Sequence, residues 1–151
     1  MDVAGWIARV TRSEVAGSPE IVQELWSGYG AIERWWLAPE SGSGPRSVVL
    51  KRVRPPAAAR HPRGWDTDRG DARKRRSYDV ERAFYRTFAN AARGAARLPA
   101  LLAEHETDEG ALLLLEDLDA AGFPARRDAV SGDDVHACIR WLASFHAAFL
   151  G

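Results

Sequence analysis

The pattern of hydrophobic and polar positions along the chain predicts a small α+β domain. Val3, Trp6, Ile7 and Val10 recur at helical spacing and predict a short amphipathic helix over residues 2–11. "IVQELW" (21–26) also fits a helix, but its aromatic enrichment favours a strand. The predicted strands are the two segments flanking "SGYG", then "SVVLKRV" (47–53), a short one within "RLPALLAEHETDEG", and the continuous apolar run "ALLLLEDL".

Two longer helices are predicted in the second half of the chain. One begins at Tyr78 with Ser77 as its N-cap and ends near Gly94. It follows a polar insert, residues 55–76, with seven lysines and arginines against three aspartates between Arg60 and Arg76. The last helix begins near Ser131, with Asp134 as an acidic capping-box partner. Its apolar stripe consists of Val135, Cys138, Ile139, Leu142, Phe145 and Phe149.

Length, charge and cysteine content limit the classes of protein to which the chain can belong. The 151 residues, 46% of them hydrophobic, suffice for one domain with a core. Lys plus Arg balances Asp plus Glu at 21 each, which argues against general electrostatic binding of nucleic acid or a membrane surface. The arginines of the insert, with Trp65 between them, could hold a phosphate and stack a base, but the three aspartates dilute the charge and a solvated loop is the favoured interpretation. Cys138 is the single cysteine, and no signal-peptide pattern opens the chain. We therefore expect a cytoplasmic protein.

Lys51 lies within the third predicted strand, between Val49 and Val53 on one face. These valines indicate that the face is turned inward. A lysine in such a place either packs its methylene stem while its ammonium reaches water, or serves a buried anion. The strand pattern alone favours the first interpretation.

Glu81 occupies a comparable position on the helix predicted from Tyr78. It shares a helix face with Phe84, Tyr85 and Phe88, at three, four and seven residues further along. A glutamate at the edge of the stripe could tip toward water, whereas a buried carboxylate needs a partner. Opposite charges on two inward faces are explained most simply as each other's partner. In kinases a strand lysine held in this way contacts the α- and β-phosphates of ATP.

Two further segments fit nucleotide binding, each with a simpler alternative. Gly28 and Gly30 in "SGYG" could form a turn whose backbone amides cover phosphates, although an ordinary hairpin turn explains them as well. "EDL", Glu116 to Leu118, could present backbone groups to an adenine ring, or could simply be a strand running into a loop.

The order of these segments resembles a known family. "LWSGYGAIERWW", "VVLKRV", "HPRGWDTDRGDARKRRSYDVERAFY", "LLLLEDLDAAGFPAR" and "CIRWLASFHAAFLG" resemble the aminoglycoside phosphotransferase/choline kinase-like superfamily, most closely its ecdysteroid-kinase-like branch. The resemblance runs from about Leu25 to the end of the chain. It implies an ATP- and Mg²⁺-dependent kinase that phosphorylates a hydroxyl group of a small molecule.

Residue by residue, the resemblance implies an ATP site. Lys51 looks like the phosphate-binding lysine, Glu81 like its partner, Gly28 and Gly30 like the turn over the nucleotide, and Glu116, Asp117 and Leu118 like the adenine-contacting linker. The implied fold over residues 1–118 is the small lobe of a protein-kinase-like fold, with about five antiparallel strands and one packed helix. Residues 119–151 would then be the linker and the first helix of a large lobe.

The chain departs from the family in its catalytic motifs. The His-Gly-Asp…Asn segment that carries the catalytic aspartate does not occur in it, and so no Asp-x-Asp/Glu segment for Mg²⁺ follows one. We therefore expect the N-terminal part of a longer kinase, inactive alone, with the Mg²⁺ ligands in the missing lobe. The alternative is a non-catalytic nucleotide-binding or partner-docking module.

Overall fold

The computed structural model describes residues 1–39, 42, 44–56, 68–124 and 129–150. The elements in chain order are α1 (Val3–Thr11), β1 (Glu14–Val15), β2 (Glu20–Glu24), β3 (Gly30–Ala38), β4 (Ser47–Val53), α2 (Asp68–Thr87), α3 (Ala89–Ala92), β5 (Leu101–Thr107), β6 (Gly110–Glu116) and α4 (Gly132–Ala147). No helix in these ranges is long and apolar enough to cross a bilayer.

The predicted α+β class with an antiparallel sheet is confirmed. Five strands lie in the order β2-β3-β4-β6-β5, and every neighbouring pair is antiparallel. The two-residue β1, which the sequence pattern did not predict, pairs with the end of β3. β4 and β6 lie inside the sheet, and Ala111–Leu115 of β6 are all buried, as a continuous apolar run predicts.

Helix α1 covers one face of the sheet. Its Ile7 is fully buried against a cluster contributed by β3, β4 and β6, whose members are Trp35, Leu37, Val48, Leu50, Leu112 and Leu114. Side chains alternate along a strand, so the neighbouring residues of β4, including Lys51, point to the opposite face. That opposite face is the one near which α2 runs.

Helix α2 begins ten residues before the predicted position. Ser77 is not an N-cap: it lies inside the helix, and its hydroxyl donates to the carbonyl of Lys74 at 2.7 Å. The preceding polar residues favour a helix because Arg and Lys are good helix formers and Asp71 pairs with Arg75 four residues on at 2.6 Å. The end of the predicted insert, residues 68–76, is therefore helical, and residues 57–67 lie outside the described part.

The N-terminus of α4 is confirmed, but the predicted apolar stripe packs on the body only in part. Ser131 is the N-cap and forms a capping box with Asp134. Phe145 of that stripe packs together with Trp141 and Ala148 against a cluster around Leu98, and its ring contacts Phe84 of α2. Val135, Ile139, Leu142 and the predicted core residue Cys138 are exposed. The larger aromatic side chains therefore determine which side of the helix packs.

We expect truncation of Ile7 to lower stability strongly. Ile7→Ala removes buried methyl groups and leaves a cavity under α1, so the free energy of unfolding should fall by about 2–5 kcal/mol. Urea unfolding measures this value. Ile139→Ala makes the same chemical change on an exposed helix position and should alter stability little. Equal losses in the two variants would contradict the assigned packing of α1.

Candidate functional site

The predicted ion pair between Lys51 and Glu81 is present. The Lys51 ammonium donates to both carboxylate oxygens of Glu81, at 2.7 and 2.5 Å. The Lys51 side chain is 14% exposed and that of Glu81 is 31% exposed. Ile32 and Leu113 are the direct cross-strand neighbours of Lys51, so its stem lies among apolar groups. The ammonium also lies 5.1 Å from the centre of the Tyr78 ring.

A polar stripe of α2 brings Glu81 to Lys51. Asp71, Lys74, Tyr78, Glu81 and Tyr85 follow one another at three- and four-residue spacing and are all half-buried. Burial raises the pKa of the Tyr78 and Tyr85 hydroxyls, and the nearby Glu81 carboxylate raises both further. Both phenols therefore stay neutral beside the ion pair.

The glycine turn between β2 and β3 is attached to this same stripe. Residues Trp26–Gly28 form a 3₁₀ turn, and Gly28 and Gly30 have φ angles of 73° and 120°. A Cβ at Gly30 would come within 2.0 Å of the Arg52 carbonyl oxygen, so this position requires glycine. Lys74 donates to the Trp26 carbonyl at 2.8 Å. The turn is therefore held beside the helix that carries Glu81.

A hydrogen bond and a ring contact link this turn further to α2. The Tyr29 hydroxyl, immediately after the turn, donates to the Asp71 carboxylate. The Lys74 ammonium lies 4.6 Å from the centre of the Tyr29 ring, and burial lowers its pKa. Asp71 and Lys74 belong to the segment predicted as an insert, so sequence reasoning missed them. Asp71 and Lys74 lie seven and four residues before Tyr78, and this helical spacing is the signal that could have found them.

The linker after β6 is more tightly bonded than the prediction of exposed backbone groups assumed. The Glu116 amide donates to the Ala100 carbonyl, and the carbonyls of Asp117 and Leu118 accept from the amides of Ala121 and Phe123. The Glu116 carboxylate accepts from Arg97 at 2.6 and 3.0 Å, and this bond lowers its pKa. Each carbonyl still has a second lone pair, so contact with a ligand stays feasible.

Asp117 is the most deeply buried acid of the linker, at 4% exposure. Its carboxylate accepts from Arg34 Nε at 2.7 Å and from the Ser47 hydroxyl at 2.7 Å. Burial by itself raises the pKa of Asp117, but the bonds from Arg34 and Ser47 outweigh it and the pKa is lowered. Its other oxygen accepts from the Asp119 amide at 3.1 Å. Asp117 therefore connects β3, β4 and the linker, and Arg34 was not among the predicted site residues.

A cavity of about 720 Å³ lies beside the linker. Glu116 and Asp117 line it together with Trp36, Arg46 and Arg93. Trp36 is 44% exposed while its neighbour Trp35 is buried, as expected for adjacent residues of one strand. Lys51 and Glu81 do not line this cavity, so the linker lies apart from them. Of the predicted site residues, the structure brings together the lysine, the glutamate and the glycine turn.

No metal centre is formed within the described ranges of the chain. No group of three or more His, Cys, Asp and Glu side chains there could hold a metal ion. Glu81, the acid that Lys51 contacts, is occupied by the lysine through both carboxylate oxygens. The Mg²⁺ implied by the family resemblance thus has no ligand set among these residues.

Comparisons with protein-family models, with curated proteins and with solved structures found no match. The family resemblance therefore stays a prediction from the sequence, and the argument for a function depends on the geometry of the site.

The attachment of α2 to the sheet should be sensitive to salt. No residue from 69 to 87 is buried, and Arg82 and Arg86 reach Glu106 and Glu104 on β5 at 2.9 and 2.8 Å. Raising NaCl from about 0.05 to 1 M shortens the Debye length to about 3 Å and weakens such pairs. We expect amide hydrogen exchange in α2 to speed up about fivefold or more.

Helix α1 provides the internal control for this experiment, because its attachment through Ile7 is apolar. Its exchange should change little, or slow down, over the same range of salt. A uniform response of both helices would contradict the assignment of α2 to polar docking.

Asp117→Asn should destabilise the protein in a pH-dependent way. The lowered pKa of folded Asp117 means that its charge contributes stability above its unfolded pKa of about 3.9, and that this contribution is lost as the pH falls through the folded pKa. At pH 7 the variant should lose about 1–3 kcal/mol. The difference should shrink below about pH 4.

Urea unfolding at pH 7 and pH 3 tests this expectation. Asp79→Asn, at a side chain that is 72% exposed, is the matched control and should show little difference at either pH. A loss for Asp117→Asn that stays constant between the two pH values would show that the carboxylate charge is not what stabilises the linker.

Proposed function

We propose that this chain is the nucleotide-binding portion of an ATP-dependent small-molecule kinase that phosphorylates a hydroxyl group. The observation that carries the proposal is the Lys51–Glu81 pair, with a strand lysine among apolar neighbours held by a carboxylate from the adjacent helix. Such a cation is fixed in direction and can neutralise a phosphate without rearrangement.

The surroundings of Lys51 support a phosphate ligand. The glycine turn Trp26–Gly28 is hydrogen-bonded to α2 through Lys74, and the adjacent Tyr29 is bonded to the same helix. The backbone amides of the turn, the Lys74 ammonium and Lys51 therefore lie around one end of the sheet. ATP, when bound, supplies the phosphoryl group. The residues of this chain would bind and orient it, and no residue of the chain is assigned to phosphoryl transfer.

The exposed face of α4 favours a second candidate, a non-catalytic module that docks a partner. Val135, Ile139 and Leu142 are 44%, 56% and 45% exposed along one helix. Apolar side chains grouped in this way are typical of interaction surfaces. A chain that binds no ATP but associates through this helix would support the second candidate over the first.

Substitution of Lys51 tests nucleotide binding directly. Lys51→Met keeps the stem and removes the cation, and one lost charge-assisted bond is worth roughly 1.5–3 kcal/mol, so ATP affinity should fall about tenfold or more. Isothermal titration calorimetry with ATP measures the change. Glu81→Gln should weaken ATP binding less, because the ammonium stays while its orientation is lost.

Arg54→Met is the matched control for the loss of a cation. Arg54 follows β4, and its side chain is 64% exposed. It pairs with Glu109, which lies in the turn between β5 and β6, at the opposite end of β6 from the linker. Its loss should leave ATP binding within about twofold, since exposed ion pairs contribute little. If the unsubstituted chain binds no ATP, or if Lys51→Met binds it equally well, the proposed function is wrong.

A further inference from the structure

The stretch of sheet between Lys51 and the linker is where a nucleotide base would lie if the proposed function holds. Phosphates at Lys51 and a base at residues 116–118 leave the base beside Val49, two residues before Lys51 on the same face. Val49 pairs directly with Arg34 in the neighbouring strand β3. The side chain of Arg34 therefore projects from the same face of the sheet, next to the expected position of the base.

The Arg34 guanidinium binds three acids from three segments. Its Nε donates to Asp117 at 2.7 Å, one terminal nitrogen contacts Glu20 of β2 at 3.3 Å, and the other donates to Asp119. The Arg34 side chain is 14% exposed and that of Asp117 is 3% exposed. A planar guanidinium is suited to such multiple bonding, and a lysine ammonium in its place could not make all three contacts at these positions.

The conformation of the linker depends on this guanidinium. Asp117 accepts from Arg34 and Ser47 through one oxygen and from the Asp119 backbone amide through the other. The carboxylate therefore connects strand β3 to the backbone turn that follows β6. Without Arg34, the buried carboxylate would lose its counter-charge, and it would either move toward water or take up a proton, both of which weaken its bond to the linker backbone.

We infer that Arg34 is a positioning residue for the nucleotide base: through Asp117 it fixes the backbone of residues 116–119 in the form that contacts the base. The inference rests on the proposed function and adds to it the origin of base recognition. Lys51 and Glu81 then determine the affinity for the phosphates. Arg34 and Asp117 determine how much the contact with the base adds to the affinity for the nucleotide. The two contributions are separable because the two ion pairs share no residue.

The test compares ATP with inorganic tripolyphosphate, which has the phosphates but no base. Calorimetric dissociation constants for both are measured for the unsubstituted chain and for Arg34→Met. We expect the unsubstituted chain to bind ATP more tightly than tripolyphosphate. In Arg34→Met, ATP affinity should fall about fivefold or more toward that of tripolyphosphate, whose own affinity should stay within about twofold.

Arg52→Met provides a matched control. Arg52 makes a two-pronged ion pair with the buried Glu33, at 2.7 and 3.0 Å, but lies on the opposite face of the sheet from Lys51. This variant also leaves a buried glutamate without its arginine, so it reproduces a general loss of stability. Its preference for ATP over tripolyphosphate should be unchanged, which separates positioning of the base from destabilisation.

Arg34→Lys is the second variant in case Arg34→Met does not fold. It keeps a positive charge near Asp117 but loses the planar guanidinium that bonds several acids at once. We expect a smaller loss of the preference for ATP, and an unchanged affinity for tripolyphosphate. Hydrogen exchange at the Asp119 amide should speed up in both variants, more in Arg34→Met.

The outcomes distinguish this inference from the proposed function. If neither ATP nor tripolyphosphate binds the unsubstituted chain, the proposed function fails and this inference fails with it. If both bind with equal affinity, phosphate binding stands and base recognition by the linker is overturned. If the folded Arg34 variants keep the full preference for ATP, only the role of Arg34 is overturned.

Discussion

The burial of a lysine in an apolar strand face is the constraint on which the candidate site depends. The Lys51 stem lies between Ile32 and Leu113, so its ammonium requires a partner close to the sheet. Glu81 meets this requirement at 2.5 and 2.7 Å, and the face of α2 that carries it is therefore turned toward the sheet. The same orientation directs Asp71 and Lys74 to the glycine turn.

The two faces of the sheet are stabilised by different interactions. Helix α1 packs through a dry apolar cluster around Ile7, which favours one fixed arrangement. Helix α2 has no buried residue from position 69 onward and reaches the sheet through ion pairs and through the half-buried ring of Tyr78. Half-exposed ion pairs contribute little each, so the face with the candidate site is the less rigid of the two.

The linker is a separate polar unit at the end of the inner strand β6. Arg34, Ser47 and Asp117 form a hydrogen-bonded group in which the acid is almost completely buried, and its lowered pKa shows that the bonds outweigh desolvation. A network of this kind favours one backbone conformation, because any other would leave a buried charge unsatisfied. The backbone of the linker is thus held more rigidly than α2 is held on the sheet.

The pattern of the sequence by itself determined the strands and helices of an α+β domain, the helix cap at Ser131 and the pairing of Lys51 with Glu81, whereas the antiparallel sheet was expected only from the family resemblance. The first three follow from local periodicity and from the high cost of burying a charge alone, both of which can be seen in neighbouring residues. The start of α2 was predicted ten residues late because a polar helix has no apolar repeat to reveal it. Only the tertiary structure decided that Trp141 packs on the body beside Phe145 while Val135 and Ile139 are exposed, and that Arg34 binds Asp117, 83 residues further along the chain. Contacts of that kind depend on strand register and on which side chains compete for one surface, and no local pattern records either.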